Sequence, residues 1–147
     1  MSEKQRYVLM VVLSPDASWA VGITKKKGPS FLHGRICFPG GKIDGDETPL
    51  TAASREMQEE TGLVIPESEW TPLRKVASEG YDLHVFAACS DKVLHARQLE
   101  EEPVWHLNVS SHEVFAKNQP AQYAPDFLDD LGAAVHALRL RQMPAAA

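Results

Sequence analysis

Between Gly40 and Leu63 the chain reads GGKIDGDETPLTAASREMQEETGL, with acids at Glu47, Glu56, Glu59 and Glu60 and an arginine, Arg55, among them. Thr48 has an N-capping side chain, Pro49 suits the first helical position, and Gly62 can take the left-handed stop. The stretch therefore predicts a helix over about 49–61. At roughly 100° per residue, Glu56, Glu59 and Glu60 share an arc of about 100°. Beside it Leu50, Ala53 and Met57 face the core. Like charges so close repel, at a few tenths of a kcal/mol per pair in an isolated helix. The same oxygens suit a hard divalent cation. Mg²⁺ keeps several waters and is held by one or two carboxylates together with substrate phosphates. The Gly40-Gly41 turn can bring a backbone carbonyl to the same place, because glycine permits close approach. A plain solvated acidic face is the competing reading of such a helix.

The rest of the chain must position these groups. Its 147 residues suit one domain spanning 1–147 with a proper core, fraying over about 143–147. A formal net charge of −5 disfavours a long nucleic acid as partner but not a small phosphorylated ligand, whose charge a metal can balance. The apolar run Tyr7–Leu13 is too short to span a bilayer, and no signal peptide is evident, so no membrane association is expected. Cys37 and Cys89 read as small buried thiols of a reducing, cytoplasmic protein. The six histidines lack zinc-like spacing.

Tyr7–Leu13 and Trp19–Thr24 read as strands of a hairpin across Ser14-Pro15-Asp16, followed by a lysine-bearing loop to Leu32 and a short strand Arg35–Phe38. Pro39-Gly40-Gly41 reads as a tight turn. Leu73–Ser78 and Tyr81–Cys89 pair across Glu79-Gly80, Val93–Leu99 suggests another strand, and Val104–Val109 a further one. Ser110 with Glu113 has capping-box spacing for a short helix, and Asn118–Pro125 reads as a loop. A terminal helix from Asp126 to about Arg141 would bury Phe127, Leu128, Leu131, Val135 and Leu138. Strands mixed with few helices favour an α+β fold or an α/β sandwich.

The spacing of Gly41, Glu47, Arg55-Glu56, Glu59-Glu60 and Gly62-Leu63 resembles the signature of the Nudix hydrolases at every specified position. The signature covers about a sixth of the chain. The resemblance implies the Nudix α/β/α sandwich: a mixed sheet with the signature helix on one side and the C-terminal helix on the other. It implies hydrolysis of a nucleoside diphosphate linked to another group X, with Mg²⁺ or Mn²⁺. Carried over by position, Glu59 and Glu60 are the main metal ligands, Glu56 is a further ligand or the group that deprotonates water, and the Gly40 carbonyl is another ligand. Glu47 and Arg55 would form an ion pair that orients the carboxylates. Glycine stands one place early in Asp44-Gly45-Asp46-Glu47 relative to the family pattern, so the turn there is expected to differ and Asp46 to add charge. Relatives often carry a further metal-binding or base glutamate in a later loop. Glu102 is the first choice here, Glu101 the second, and Glu79 a weaker one.

For the nucleotide, Lys25, Lys26, Lys27 and Arg35 could meet phosphates. Tyr81, Phe86, Trp105 and Tyr123 could wall the base, and Asn118, Gln119 and Gln122 could read its edge. The expected partner is a small nucleotide, and the protein is expected to be a monomer or homodimer. A (deoxy)nucleoside triphosphate is the first substrate class. ADP-ribose or a dinucleotide, or a nucleotide sensor without turnover, are the alternatives.

Overall fold

The computed structural model describes residues 4–143. The expected frayed tail therefore lies outside the described residues except for Met143. The described residues form seven strands: β1 (Gln5–Leu13), β2 (Trp19–Thr24), β3 (Ile36–Cys37), β4 (Gly40–Lys42), β5 (Thr71–Ala77), β6 (Tyr81–Cys89) and β7 (Val104–Asn108). Three α-helices accompany them: α1 (Pro49–Thr61), α2 (Val109–Asn118) and α3 (Phe127–Gln142). The sheet runs β3-β2-β1-β6-β5, with β4 also paired to β1 and β7 to β2. β1 and β6 are parallel, from Gln5 opposite Tyr81 to Leu13 opposite Cys89. The other pairings are antiparallel.

The central strands are apolar on both faces, and the period-2 alternation of strand side chains divides them between two cores. Val8, Met10 and Val12 of β1, with Phe86 and Ala88 of β6, join Ala52, Ala53 and Met57 of α1. Val11 and Leu13, with Val85 and Ala87, join Phe127, Leu131, Ala134, Val135 and Leu138 of α3. The result is the expected α/β/α sandwich. Leu50 is an exception to the expected stripe, being exposed in the first turn of α1 while Ala52 and Thr61 are buried.

α1 has the boundaries its end signals specify. The Thr48 side chain accepts from the Thr51 N–H, Pro49 is the first residue, and Gly62 closes it at φ 80°. Three other segments differ from expectation. The β1–β2 hairpin pairs only beside its turn, Leu13 opposite Ala20, because β4 takes that edge of β1 over Tyr7–Leu9 and β3 takes that edge of β2 over Ile23–Thr24. Val93–Leu99 is not a strand: a 3₁₀ turn covers Val93–His95, and Val93 and Ala96 are buried while Leu94 is exposed. That spacing of three fits a turn, not a period of two. α2 starts earlier than Ser110, capped by the Asn108 side chain, which accepts from the Ser111 N–H.

Gly40 and Gly41 do not form a tight turn either. They lie in β4, opposite Leu9 and Val8. Here glycine serves close approach: a Cβ on Gly40 would stand 2.5 Å from the Val8 carbonyl oxygen.

Candidate functional site

β4 and α1 face each other, and the acids of α1 gather where they meet. Arg55 is the hub. Its Nε donates to Glu47 Oε2 at 2.6 Å and its Nη2 to Glu47 Oε1 at 2.8 Å, the planar fork matching a carboxylate. Its Nη1 donates to Glu56 Oε1 at 3.0 Å and to Glu59 Oε2 at 3.1 Å. The Lys42 carbonyl accepts from Nη2 at 3.0 Å, and Asp44 Oδ2 lies 3.3 Å from the same atom. One guanidinium thus orders four carboxylates and ties them to β4. The hydrogen bonds from Arg55 hold the Glu47 carboxyl down at about 2. The same bonds hold the guanidinium above its ordinary value.

The turn before the helix is shaped by its displaced glycine. Gly45 takes φ 47°, Asp44 N–H donates to Glu47 Oε1, and the Asp44 carbonyl accepts from Glu47 N–H. Arg6 of β1 supports it, donating to the carbonyls of Gly45 at 2.7 Å and Glu47 at 3.3 Å. Asp46 is exposed, and none of the ion pairs described involves it.

Glu56 rests against Gly41: a Cβ there would come within 2.5 Å of both carboxylate oxygens. Burial raises the Glu56 carboxyl above its usual range, against the bonds from Arg55. Glu60 is buried more deeply, at 8% exposure. Its Oε2 is buried with no hydrogen-bond partner. Burial first, then the charges of Glu56, Glu102 and Glu100, push its carboxyl up to about 8.

No group of three or more His, Cys, Asp or Glu side chains forms a ready cation cage among the described residues. Arg55 draws Glu56 and Glu59 toward itself, while Glu60 points into the protein. The donor set still fits a divalent ion. It is all oxygen, it holds an unpartnered buried carboxylate oxygen, and the missing side chain of Gly41 lets the Glu56 carboxylate sit against β4. Mg²⁺ needs only one or two such carboxylates when substrate phosphates complete its shell.

Glu102 is also buried, at 6% exposure. Its Oε2 accepts from the backbone N–H groups of Lys26 at 2.8 Å and Lys27 at 3.1 Å. Lys25 Nζ lies 3.8 Å from the same oxygen. Glu101 is exposed, and so is Glu79 in the β5–β6 turn. Arg35 is half-buried and donates to the Tyr123 carbonyl at 3.3 Å. Phe86 and Tyr123 are core residues, Phe86 beside Trp70 and Tyr123 against Phe127. Trp105 is half-exposed and donates its indole N–H to Thr24 Oγ1 at 2.7 Å. Tyr81 contacts Tyr7, and Gln122 bonds Gln119. No described hydrogen bond or ion pair joins Tyr81, Asn118, Gln119 or Gln122 to the carboxylates.

Sequence reasoning missed Arg6 and the Lys42 carbonyl. Both enter through the β1–β4 register, with Tyr7 opposite Lys42 and the Ile43 N–H donating to the Arg6 carbonyl. Local sequence carries no sign of that long-range pairing.

The NUDIX domain family matches residues 3–128. This chain belongs to the Nudix family. Among curated relatives, an 8-oxo-dGTP diphosphatase of Proteus vulgaris is 33% identical over 85 residues, spanning 58% of this chain and 74% of that protein. An 8-oxo-dGTP diphosphatase of Escherichia coli (strain K12) is 36% identical over 63 residues, spanning 43% of this chain and 47% of that protein. Among solved structures, the NUDIX domain of Shewanella oneidensis NrtR, determined in complex with ADP ribose, superposes with TM-score 0.71 at 19% identity, covering 94% of this chain and 90% of that one. At that identity the superposition speaks for the fold alone. The Nudix signature occupies Gly41–Leu63, and the Nudix helix is α1. The spaced motif therefore lies on β4 and α1 of a Nudix domain.

Proposed function

We propose that this Nudix protein is a Mg²⁺- or Mn²⁺-dependent pyrophosphohydrolase. It cleaves the phosphoanhydride of a nucleoside diphosphate linked to X, with a (deoxy)nucleoside triphosphate as the preferred substrate class. The observation that carries the reading is the buried, unpartnered Oε2 of Glu60 beside the Arg55-ordered carboxylates of the same helix. An unpaired buried oxygen costs stability, and a metal-binding role gives it a partner. The names of the Proteus and Escherichia relatives support the triphosphate class and make 8-oxo-dGTP the first compound to try.

Glu59 and Glu60, with the Gly40 carbonyl, would hold the ion, with Glu56 as a further ligand or as the base. When bound, it neutralises phosphate oxygens and acidifies a water. The chain's own residues do the remaining work. Arg55 fixes the carboxylates of Glu56 and Glu59 through Nη1, and Glu47 fixes Arg55. Glu56 Oε1 is engaged by Arg55, so Oε2 is the atom left to join the ion or to take the proton of the attacking water. Attack at phosphorus would give a nucleoside monophosphate and pyrophosphate from a triphosphate.

The test is a nucleotide panel with Mg²⁺ or Mn²⁺, including 8-oxo-dGTP, unmodified triphosphates, ADP-ribose and dinucleotides. Release of pyrophosphate from a triphosphate is expected, and it should collapse in Glu59→Gln and Glu60→Gln. Cleavage of ADP-ribose alone would move the substrate class. Tight binding without release would identify a sensor instead, and unchanged turnover in both variants would refute the metal assignment.

A further inference from the structure

Glu102 sits where two loops meet. The first is the lysine loop after β2, closed by Lys25 N–H donating to the Arg35 carbonyl at 2.9 Å and by Gly34 N–H donating to the Lys25 carbonyl at 2.8 Å. Gly28, at φ 79°, lets it turn. The second is the acidic segment before β7. Thr24 N–H donates to the Pro103 carbonyl at 3.0 Å, and Lys27 Nζ reaches Glu100 at 3.5 Å, so the two loops are zipped together. Glu102 is the buried member of that zip. One of its oxygens already takes two backbone N–H groups, with the Lys25 ammonium beside it. Two amide donors on a single oxygen are what an anchored carboxylate needs, and no described hydrogen bond reaches its other oxygen. The acidic segment is also tied to the end of α1, Arg97 N–H donating to the Thr61 carbonyl at 3.0 Å and Leu99 N–H to the Glu60 carbonyl at 3.3 Å, so the zip stands at the α1 acids.

We propose that Glu102 is a positioning residue: it pins the backbone of Lys26 and Lys27 so that Lys25 faces the α1 carboxylates and meets the substrate's phosphates. The proposal rests on the pyrophosphohydrolase reading. It gives Lys25 a part in substrate binding and gives Glu102 a part that acts through Lys25.

Three variants test it: Glu102→Ala, Glu102→Gln and Lys25→Met. Three readouts are amide hydrogen exchange at Lys26 and Lys27 in the metal-free protein, the Kd of an α,β-methylene nucleoside triphosphate, and KM against kcat. Glu102→Ala should speed exchange at both amides and weaken the analogue and KM about tenfold, with kcat within about threefold; tenfold is the scale of one charge-assisted contact. Glu102→Gln keeps an amide oxygen that accepts both N–H groups, so exchange should stay slow and most of the affinity should return. Lys25→Met should weaken analogue binding with exchange unchanged. A kcat loss of about 100-fold in Glu102→Gln with slow exchange would overturn the proposal and make Glu102 a base or ligand, since that is the scale of a lost catalytic group. Unaltered exchange in Glu102→Ala would overturn it as well. Failure of the pyrophosphohydrolase reading would appear elsewhere, as no turnover in the wild type or as full turnover in Glu60→Gln, while the exchange and Kd results stand by themselves.

Discussion

The two faces of the sheet each bury one carboxylate from the helix that covers them. On one face α3 contributes Asp130, only 2% exposed. Arg74 of β5 grips it with two hydrogen bonds, 2.7 Å from Nε and 3.0 Å from Nη2. On the other face α1 contributes Glu60, 8% exposed, with Oε2 unpartnered. The depth is similar, the chemical group is the same, and the outcomes are opposite. Asp130 is matched in charge and geometry, so it locks helix to sheet. Glu60 has carboxylates as neighbours, and the guanidinium five residues back is engaged by Glu47, Glu56 and Glu59. A buried acid that the fold leaves unmatched marks chemistry, while a matched one marks architecture.

Substitutions can break this contrast in a definite order. Glu60→Gln should lower turnover of the best triphosphate by about 100-fold or more, the scale of losing a preorganised electrostatic group, and steady-state kinetics with Mg²⁺ would read it. Asp130→Ala should remove both of these hydrogen bonds, leaving Arg74 only Asp126 at 3.7 Å, and cost on the order of 2 kcal/mol of stability. Urea unfolding measures that loss, and kcat of the folded fraction should not change.

The third effect reverses the usual sign. Glu60 holds its proton up to about 8 when folded, above the ordinary carboxylate value of 4.5. Between these values the folded state binds more protons than the unfolded one, so stability of the metal-free protein falls as pH rises through the window. Glu60→Gln lacks this loss. It should be the more stable protein at pH 8, by on the order of 2 kcal/mol, and the gap should close below about pH 4.5. Melting at both pH values checks it. Next, Gly41→Ala would drive a methyl into the Glu56 carboxylate. Activity should fall about tenfold, the cost of a small misplacement at the reacting groups, with the melting temperature little changed. Smallest, Thr48→Ala removes the α1 cap and should cost about 1 kcal/mol.

Sequence made one of the two acids legible. Glu60 lies in a spaced motif flanked by local end signals, Thr48-Pro49 and Gly62, so both its helix and its companions could be read before any tertiary contact was known. Asp130 lies in a predicted helix, but its partner is 56 positions away on β5, and nothing local announces the pair. The same limit governs the rest. Gly40 and Gly41 were expected in a turn because glycine signals turns. The strand they form depends on pairing with β1 and on the Glu56 carboxylate filling the space a side chain would take. The motif acids were nameable, but the task of Glu102 was not, since its donors are backbone amides more than seventy positions away.

The most direct measurement is Mn²⁺ binding at pH 8, followed by electron paramagnetic resonance and by the shift in melting temperature, for the wild type and Glu60→Gln. Saturable binding that stabilises the wild type, and is lost or weakened at least tenfold in Glu60→Gln, is the expected result for a ligand-type contact. Equal Mn²⁺ affinity in the two proteins, or no binding by either, would contradict the assignment of the buried Glu60 carboxylate to a metal.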